Sequence, residues 1–80
     1  MTNEQVAKLL TEEVERAETK HPRWGSIRHG HSVIEEEYDE FKQAVFADNE
    51  EEAFKECVQL GAMCIRFIKN HAPSSVRLFH

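Results

Sequence analysis

Four oxygen-bearing side chains recur at helical spacing in the middle of the chain: Glu37, Glu40, Glu56 and Gln59. Within each pair the two positions lie three residues apart, so both side chains project from the same face of a helix. Three carboxylates and one amide form the all-oxygen ligand set that Mg²⁺ or Mn²⁺ prefers. If the two pairs meet, the mutual repulsion of the carboxylates predicts a divalent cation among them.

The second predicted helix, about residues 31–47, orients the first pair. Its apolar positions from Ile34 to Val45 step by four, three and four residues. A projection at about 100° per residue places Glu37 within this apolar face and Glu40 just beyond its edge. A carboxylate among apolar neighbours must be neutral, paired or bound to a metal. The alternative is that Glu40 and Glu56 are both exposed to solvent, while Glu37 bonds an Arg or Lys of a neighbouring helix. The spacing leaves both interpretations open.

A helical hairpin would bring the two pairs to the same level. Asp48 and Asn49 form the predicted turn into a third helix over about residues 50–70. Glu40 lies eight residues before this turn and Glu56 seven residues after it. Glu37 lies eleven residues before the turn and Gln59 ten residues after it. The four side chains are therefore expected on two adjacent levels of one hairpin.

A first helix and a loop precede the hairpin. The helix covers about residues 3–20, is capped by Thr2, and ends before Pro22. The loop extends to about Gly30, and Ser32 is a possible cap of the second helix, although the helix could begin one turn earlier. The pattern thus predicts an all-α fold with a three-helix protomer.

Composition limits the class of protein. The chain has 80 residues, a formal net charge of −5 and 40% apolar residues, which predicts a single small globular domain over residues 1–80. The excess of acids argues against nucleic acid as a partner, because phosphate backbones bind clustered cations. No apolar run is long enough to span a membrane, and the first residues do not resemble a secretion signal. We therefore expect a cytoplasmic protein with no membrane partner.

The third helix indicates association between subunits. From Cys57 to Ile68 only one amide and one arginine are strongly polar, so the helix is apolar over most of its circumference. One short neighbour cannot cover that surface, and we expect a homodimer or homotetramer with a four-helix-bundle core. Cys57 and Cys64 are expected to be reduced core residues. The tail, residues 71–80, is expected to pack on the body or on a partner through apolar residues between Val76 and Phe79.

The segment EEYDE at residues 36–40, followed by Glu56 and Gln59, resembles the EExxE, spacer, ExxD motif of the MazG-like all-α nucleoside triphosphate pyrophosphohydrolases. The likeness extends over about residues 12–70. The resemblance implies a dimeric four-helix bundle in which carboxylates hold Mg²⁺, with Mn²⁺ as an alternative. Water would cleave an NTP or dNTP between the α and β phosphorus atoms, giving a nucleoside monophosphate and pyrophosphate.

Carried over by position, the motif also assigns roles. Glu37 and Glu40 would be the first pair of metal ligands and the carboxylates closest to the reaction, Glu56 the third ligand, and Glu36 a supporting catalytic acid. Gln59 departs from the motif, which has Asp there. An amide oxygen still ligates Mg²⁺ but adds no charge, so metal affinity and activation of water should be weaker. A working variant, an enzyme with an altered metal demand and a degenerate binding protein all fit this departure.

Cations near such a site would complete the binding of a triphosphate. Arg66 lies on the same stripe of the third helix as Gln59 and is the first candidate for a phosphate contact, with Lys69 the second, although both could be ordinary surface bases. Trp24 could stack on a nucleobase or could close the end of the bundle. His29 and His31 have no third ligand at suitable spacing, so zinc is not expected.

Two functions of different class remain. The first is Mg²⁺-dependent hydrolysis of a nucleoside triphosphate, with base and sugar specificity unassigned because the loop matches no interpretable motif. The second is a catalytically degenerate helical dimer that binds another protein through the bundle surface and the tail.

Overall fold

The computed structural model describes residues 1–76, and these residues form three α-helices with no strand among them. The helices are α1 (Asn3–Lys20), α2 (Ile27–Phe46) and α3 (Glu50–His71). The all-α class is confirmed over this range, and α1 and α3 have nearly the predicted bounds. None of the three is long and apolar enough to cross a membrane. Most of the tail segment expected to pack on the body, from position 77 onward, lies outside the described residues.

Side-chain caps determine where α1 and α3 begin. Thr2 Oγ1 accepts a hydrogen bond from the Gln5 amide at 3.1 Å, and the Gln5 side chain accepts one from the Thr2 amide at 2.7 Å. Asn49 Oδ1 likewise accepts the amide of Glu52 at 3.1 Å. The first turn of α3 carries three glutamates and its last turn basic residues, an arrangement that the helix dipole favours at both ends.

α2 begins at Ile27, about one turn before residue 31, which is the earlier start that the sequence left open, so Ser32 is not its cap. The cap is Ser26, whose Oγ accepts the amide of His29 at 3.1 Å. Ser32 lies inside the helix, where its hydroxyl donates to the carbonyl of Arg28 at 3.1 Å. A serine hydroxyl can cap a helix or hydrogen-bond to a carbonyl of the preceding turn. Ser26 and Ser32 could each have been the cap of α2, and the sequence alone does not distinguish them.

Gly30 lies inside α2 and is buried. A Cβ at this position would lie 2.8 Å from Cε3 of Trp24 and 2.9 Å from Cδ2 of Phe67. The absent side chain therefore lets α2 lie close to the loop and to α3. This close packing offsets the poor helix propensity of glycine. The helix therefore continues through Gly30, where the sequence predicted the end of the loop.

A tight turn joins α2 to α3. Asp48 has a φ of 55°, in the left-handed region that aspartate tolerates better than most residues. The Asn49 amide donates to the carbonyl of Ala44 at 3.0 Å, which satisfies a carbonyl at the end of α2. So short a connection makes α2 and α3 an antiparallel hairpin, as predicted.

α3 is the central helix. It packs against both α1 and α2, whereas α1 and α2 do not pack against each other. The buried apolar core combines residues of α1, the loop and α3, namely Val14, Ala17, Trp24, Ala62 and Met63. This arrangement leaves an open groove between α1 and α2, with α3 as its floor.

One face of α3 is covered by neither neighbouring helix. Cys57 and Cys64 are free thiols exposed on it, so the expectation that they are core residues is wrong for the single chain. Phe54 and Ile68 project from the same face and are 54% and 67% exposed. The all-round apolar surface of this helix is thus only partly covered within one chain.

Candidate functional site

A cluster of three carboxylates lies where α2 faces α3. Glu37 and Glu40 come from adjacent turns of α2 and Glu56 comes from α3, and one oxygen of each lies within 4.8 Å of the others. Glu56 is buried, Glu37 is half-buried and Glu40 is exposed. The hairpin turn sets the level at which the two helices face each other, so the spacing of these acids from that turn positions the cluster.

Burial and mutual repulsion shift the protonation of two of these acids. Burial is the main cause that raises the pKa of Glu56 to about 7, and hydrogen bonding with the carboxyls of Glu52 and Glu40 and nearby negative charge add to it. Burial also raises the pKa of Glu37, reinforced by the charges of Glu40, Glu36 and Glu13. Near neutral pH the cluster therefore holds a proton on Glu56 in a substantial fraction of molecules.

The buried oxygens of the cluster lack partners. Oε2 of Glu37 and Oε2 of Glu56 are both buried and accept no hydrogen bond. The ion pairs formed among residues 1–76 involve other glutamates, so Glu37 does not pair with an Arg or Lys of a neighbouring helix, the alternative that the sequence left open. A buried carboxylate oxygen with no donor must be protonated or bind a cation, which fits a hard divalent ion.

The other two predicted members of the site lie beside the cluster. Gln59 follows Glu56 by one turn of α3, is half-buried, and lines the groove between α1 and α2. Glu36 is exposed and also lines this groove, outside the three-carboxylate cluster. The structure therefore brings Glu36, Glu37 and Gln59 to one cavity, the two glutamates from α2 and the glutamine from α3.

The groove has a volume of about 530 Å³. This volume lies within the range of about 300–1,000 Å³ typical of small-molecule sites. Its walls carry charges of both signs: the acids Glu13, Glu36 and Glu37, and the bases Arg16, Lys20, Lys55 and Arg66. A ligand with both cationic and anionic parts, such as a metal-bound phosphate ester, matches that distribution.

Arg66 and Lys69 occupy different environments. Arg66 is 2% exposed and lines the groove. Lys69 lies away from it, where its ammonium pairs with Glu18 at 2.9 Å and remains half exposed. Of the two candidate phosphate contacts, only Arg66 therefore lines the groove, and the ammonium of Lys69 is directed to Glu18 of α1.

Trp24 is buried, with 4% of its surface exposed. Its ring lies 4.7 Å from the Arg66 guanidinium carbon and is stacked on His71, with ring centroids 6.3 Å apart. A ring so enclosed presents no free face to a nucleobase, so the stacking role considered from the sequence is not available in this conformation. The alternative, in which Trp24 closes the end of the helical packing, matches its position.

Two residues near the site were missed from the sequence. Glu13 of α1 lines the groove and its charge raises the pKa of Glu37. Glu52 lies one turn before Glu56, and its carboxyl adds to the rise in the pKa of Glu56. The spacing of Glu52 could have revealed it, whereas Glu13 required knowledge of how α1 packs. Of the two histidines considered as zinc ligands, His29 lines the groove, and neither it nor His31 belongs to a metal-binding cluster of the described residues.

No protein-family model, curated protein or solved structure matches the chain. The chemistry of the site is therefore defined by its own residues: three convergent carboxylates, two of them with unpartnered buried oxygens, at a groove that also holds a buried guanidinium.

Proposed function

We propose that the chain is a metal-dependent nucleotide pyrophosphohydrolase of the MazG-like type, which cleaves an NTP or dNTP to the monophosphate and pyrophosphate. The observation that carries the proposal is the pair of unpartnered buried oxygens of Glu37 and Glu56, within a cluster completed by Glu40. Without a cation these oxygens leave two acidic groups close together and poorly solvated. The resemblance of the EEYDE segment to the family motif supports the same function.

Glu37, Glu40 and Glu56 would hold Mg²⁺ or Mn²⁺, with the amide oxygen of Gln59 as a further neutral ligand. When bound, the ion would neutralise phosphate charge and lower the pKa of a coordinated water. All the ligand atoms are hard oxygens, which suits these two ions better than zinc. Glu56 must lose its proton to act as a ligand, so binding is coupled to pH.

Glu36, on the α2 side of the groove, has a different role in the proposal. Glu36 is exposed and lies outside the carboxylate cluster, so it is free to accept a proton from water that enters the groove. Glu37 lines the groove and also belongs to the cluster, which links the space for a substrate to the site for a metal. No covalent intermediate is required, because water is the nucleophile.

A second copy of the chain would cover the exposed apolar face of α3. Phe54, Ile68 and the two cysteines project from that face, and α2 adds the half-exposed Tyr38. Pairing two α2–α3 hairpins through this surface would give the four-helix-bundle core of a homodimer, and further association would give a tetramer. Light scattering coupled to size-exclusion chromatography tests this, and a folded monomer near 9.3 kDa would contradict it.

Pyrophosphate release tests the enzymatic proposal. The chain is incubated with each common ribo- and deoxyribonucleoside triphosphate and Mg²⁺ or Mn²⁺. We expect release with at least one nucleotide and a loss of about a hundredfold or more in Glu37→Gln and Glu40→Gln, typical of removed charged groups at a reaction centre. Asp39→Asn is the matched control, because Asp39 is exposed between the two ligands and outside the cluster.

Two results would contradict the proposal. The first is the absence of pyrophosphate release with every nucleotide and both metals. The second is an equal loss of activity in Asp39→Asn and Glu37→Gln, which would indicate a general effect of charge on α2. The first result would favour the rival function, a helical dimer that binds another protein through its exposed apolar side chains.

A further inference from the structure

Arg66 is a buried cation without a carboxylate partner. It is 2% exposed, and the ion pairs among the described residues do not include it. An arginine remains charged at any pH that the fold survives, so it cannot relieve its burial by losing a proton. Burying a charge without a counter-ion is strongly unfavourable, which raises the question of what compensates it.

The protein groups that contact the guanidinium are neutral. Nη2 donates to the Pro22 carbonyl at 3.2 Å, and Nη1 donates weakly to Met63 Sδ at 3.5 Å. Nε is buried and has no acceptor. The face of the Trp24 ring, 4.7 Å away, is attractive to a cation but accepts no strong hydrogen bond. The five N–H donors of the guanidinium are therefore only partly satisfied, and its charge is not neutralised.

The cavity beside Arg66 adds further positive charge. Lys20 and Lys55 line the same groove and take part in no ion pair within residues 1–76. Arg16, also on the wall, pairs with Glu13. Lys20 ends α1 two residues before Pro22, whose carbonyl contacts Arg66, whereas Lys55 precedes Glu56 on α3 and lies toward the carboxylate cluster. The end of the groove near Arg66 thus offers a buried planar donor set with one unpaired lysine, Lys20, on its wall, a combination suited to an oxyanion.

This end of the groove lies well away from the carboxylate cluster. Arg66 follows Glu56 by ten positions on α3, which at about 1.5 Å per residue separates their backbones by roughly 15 Å along the helix axis. Its side chain approaches the groove from the C-terminal half of α3, close to where the loop after α1 crosses. An anion bound by Arg66 would therefore not need a metal bound at the cluster.

We propose that Arg66 forms an oxyanion subsite for a phosphate group that operates without metal, and that Trp24 is the positioning residue that holds its guanidinium. Gly30 and His71 fix the Trp24 ring by close packing and by stacking, and the ring in turn supports the guanidinium. The proposal rests on the proposed function only for the source of the phosphate, which is the triphosphate of the nucleotide or free pyrophosphate.

Trp24 provides the direct readout, because it is the only tryptophan of the chain. Its fluorescence is followed while pyrophosphate, tripolyphosphate or orthophosphate is added in the presence of EDTA. We expect a saturable change in fluorescence with at least one of these anions. The Arg66 guanidinium, which would donate hydrogen bonds to the anion, lies over the Trp24 ring that emits the signal. Calorimetry provides affinities that do not depend on the tryptophan. Nucleoside triphosphates that bind no tighter than pyrophosphate would identify the free anion as the ligand, and tighter binding would identify the nucleotide.

Arg66→Met and Lys69→Met are the matched variants. Each removes one cation from α3, but Lys69 pairs with Glu18 and does not line the groove. We expect Arg66→Met to weaken pyrophosphate binding by about tenfold or more, the loss typical of a charged hydrogen bond, and Lys69→Met by about twofold or less. Equal weakening by the two variants, or no binding by the unmodified chain, would overturn the proposal.

Folding is checked separately by circular dichroism and urea unfolding. Because the buried charge of Arg66 lacks a counter-ion, we expect the urea midpoint of Arg66→Met to be no lower than that of the unmodified chain. If Arg66→Met fails to fold, Arg66→Lys decides the question. It keeps the charge but loses the planar donor fork, so anion affinity should fall several-fold, and unchanged affinity would overturn the subsite.

The positioning role of Trp24 has its own test. Trp24→Leu should weaken calorimetric pyrophosphate binding, and Trp24→Phe should restore most of it, because an aromatic face again supports the guanidinium. Equal binding by Trp24→Leu and Trp24→Phe at matched stability would overturn the role. Failure of pyrophosphate release in the enzyme assay, with anion binding in EDTA intact, would contradict only the proposed reaction and leave the subsite standing.

Discussion

Replacing Glu56 by glutamine is expected to stabilise the metal-free chain, and to do so more strongly as the pH rises. Glu56 is buried at 7% exposure, and its pKa in the folded chain is about 7 against an ordinary value of 4.5. Glutamine has nearly the same shape, carries no charge at any pH, and can donate from its amide to the carboxylates of Glu40 or Glu52. The substitution therefore removes the ionisation while keeping the packing.

The sign follows from proton binding. Between pH 4.5 and about 7 the folded chain holds a proton on Glu56 that the unfolded chain has released, so the stability of the unmodified chain falls as the pH rises through this window. At about 1.36 kcal/mol for each pH unit between the two pKa values, the full difference is roughly 3 kcal/mol. For a chain of 80 residues that is a large part of the roughly 4–12 kcal/mol expected for folding.

Urea unfolding followed by circular dichroism measures this difference in EDTA at pH 5, 6, 7 and 8, at one protein concentration. We expect Glu56→Gln to exceed the unmodified chain by about 3 kcal/mol at pH 8 and by about 1 kcal/mol or less at pH 5. Glu35→Gln, an exposed acid on α2 outside the cluster, is the control and should change stability by less than about 0.5 kcal/mol at either pH. A stabilisation as large at pH 5 as at pH 8, or a loss of stability at pH 8, would refute the reasoning.

Three other perturbations test the same geometry. Calorimetric Mg²⁺ or Mn²⁺ binding should tighten by about tenfold from pH 6 to pH 8, because the ion competes with the proton on Glu56, and pH-independent affinity would mean that Glu56 is not a ligand. Gln59→Asp should tighten metal binding and raise turnover, since a fourth carboxylate better offsets a divalent ion. A higher KM instead would indicate a site tuned to three carboxylates, and unchanged metal affinity would mean that position 59 is not a ligand. Gly30→Ala should lower the free energy of unfolding by about 2 kcal/mol, because its Cβ would lie 2.8 Å from the Trp24 ring. Gly61→Ala, which meets only a flexible leucine methyl group at 3.0 Å, should change it by less than about 1 kcal/mol, and equal losses in urea unfolding would contradict tight packing at Trp24.

The helices were predictable where local chemistry decides them. Thr2 and Asn49 cap their helices through bonds to residues three positions on, and such bonds can be inferred from spacing alone. The start of α2 could not be inferred in this way. Gly30 is stable inside that helix only because Trp24 occupies the space where its side chain would be, and that contact depends on the packing of the loop.

The carboxylate cluster was easier to anticipate than its surroundings. Helical periodicity places Glu37 on the buried side of α2, and distance from a short turn places Glu56 opposite it, so both depend on regular geometry. Helical periodicity also places Arg66 on the same stripe of α3 as Gln59. It does not predict that Arg66 is buried, because the burial depends on contacts with the Pro22 carbonyl and with Trp24, both from the loop after α1. The exposure of Cys57 was missed because an apolar helix face gives no indication of whether it is covered by the same chain or by another.

One helix supplies a buried acid to the carboxylate cluster and a buried cation to the groove beside it. α3 begins with glutamates and ends with basic residues, an order that its dipole favours, and Glu56 and Arg66 extend the same polarity to buried positions. Both groups are unfavourable for stability as they stand: burial holds the pKa of Glu56 high, and the Arg66 guanidinium lacks a carboxylate. A ligand that presents a cation to the first and a phosphate to the second would relieve both. The two substitutions that we expect to keep or raise the stability of the free chain, Glu56→Gln and Arg66→Met, should therefore be the ones that weaken its binding of a metal–phosphate complex most.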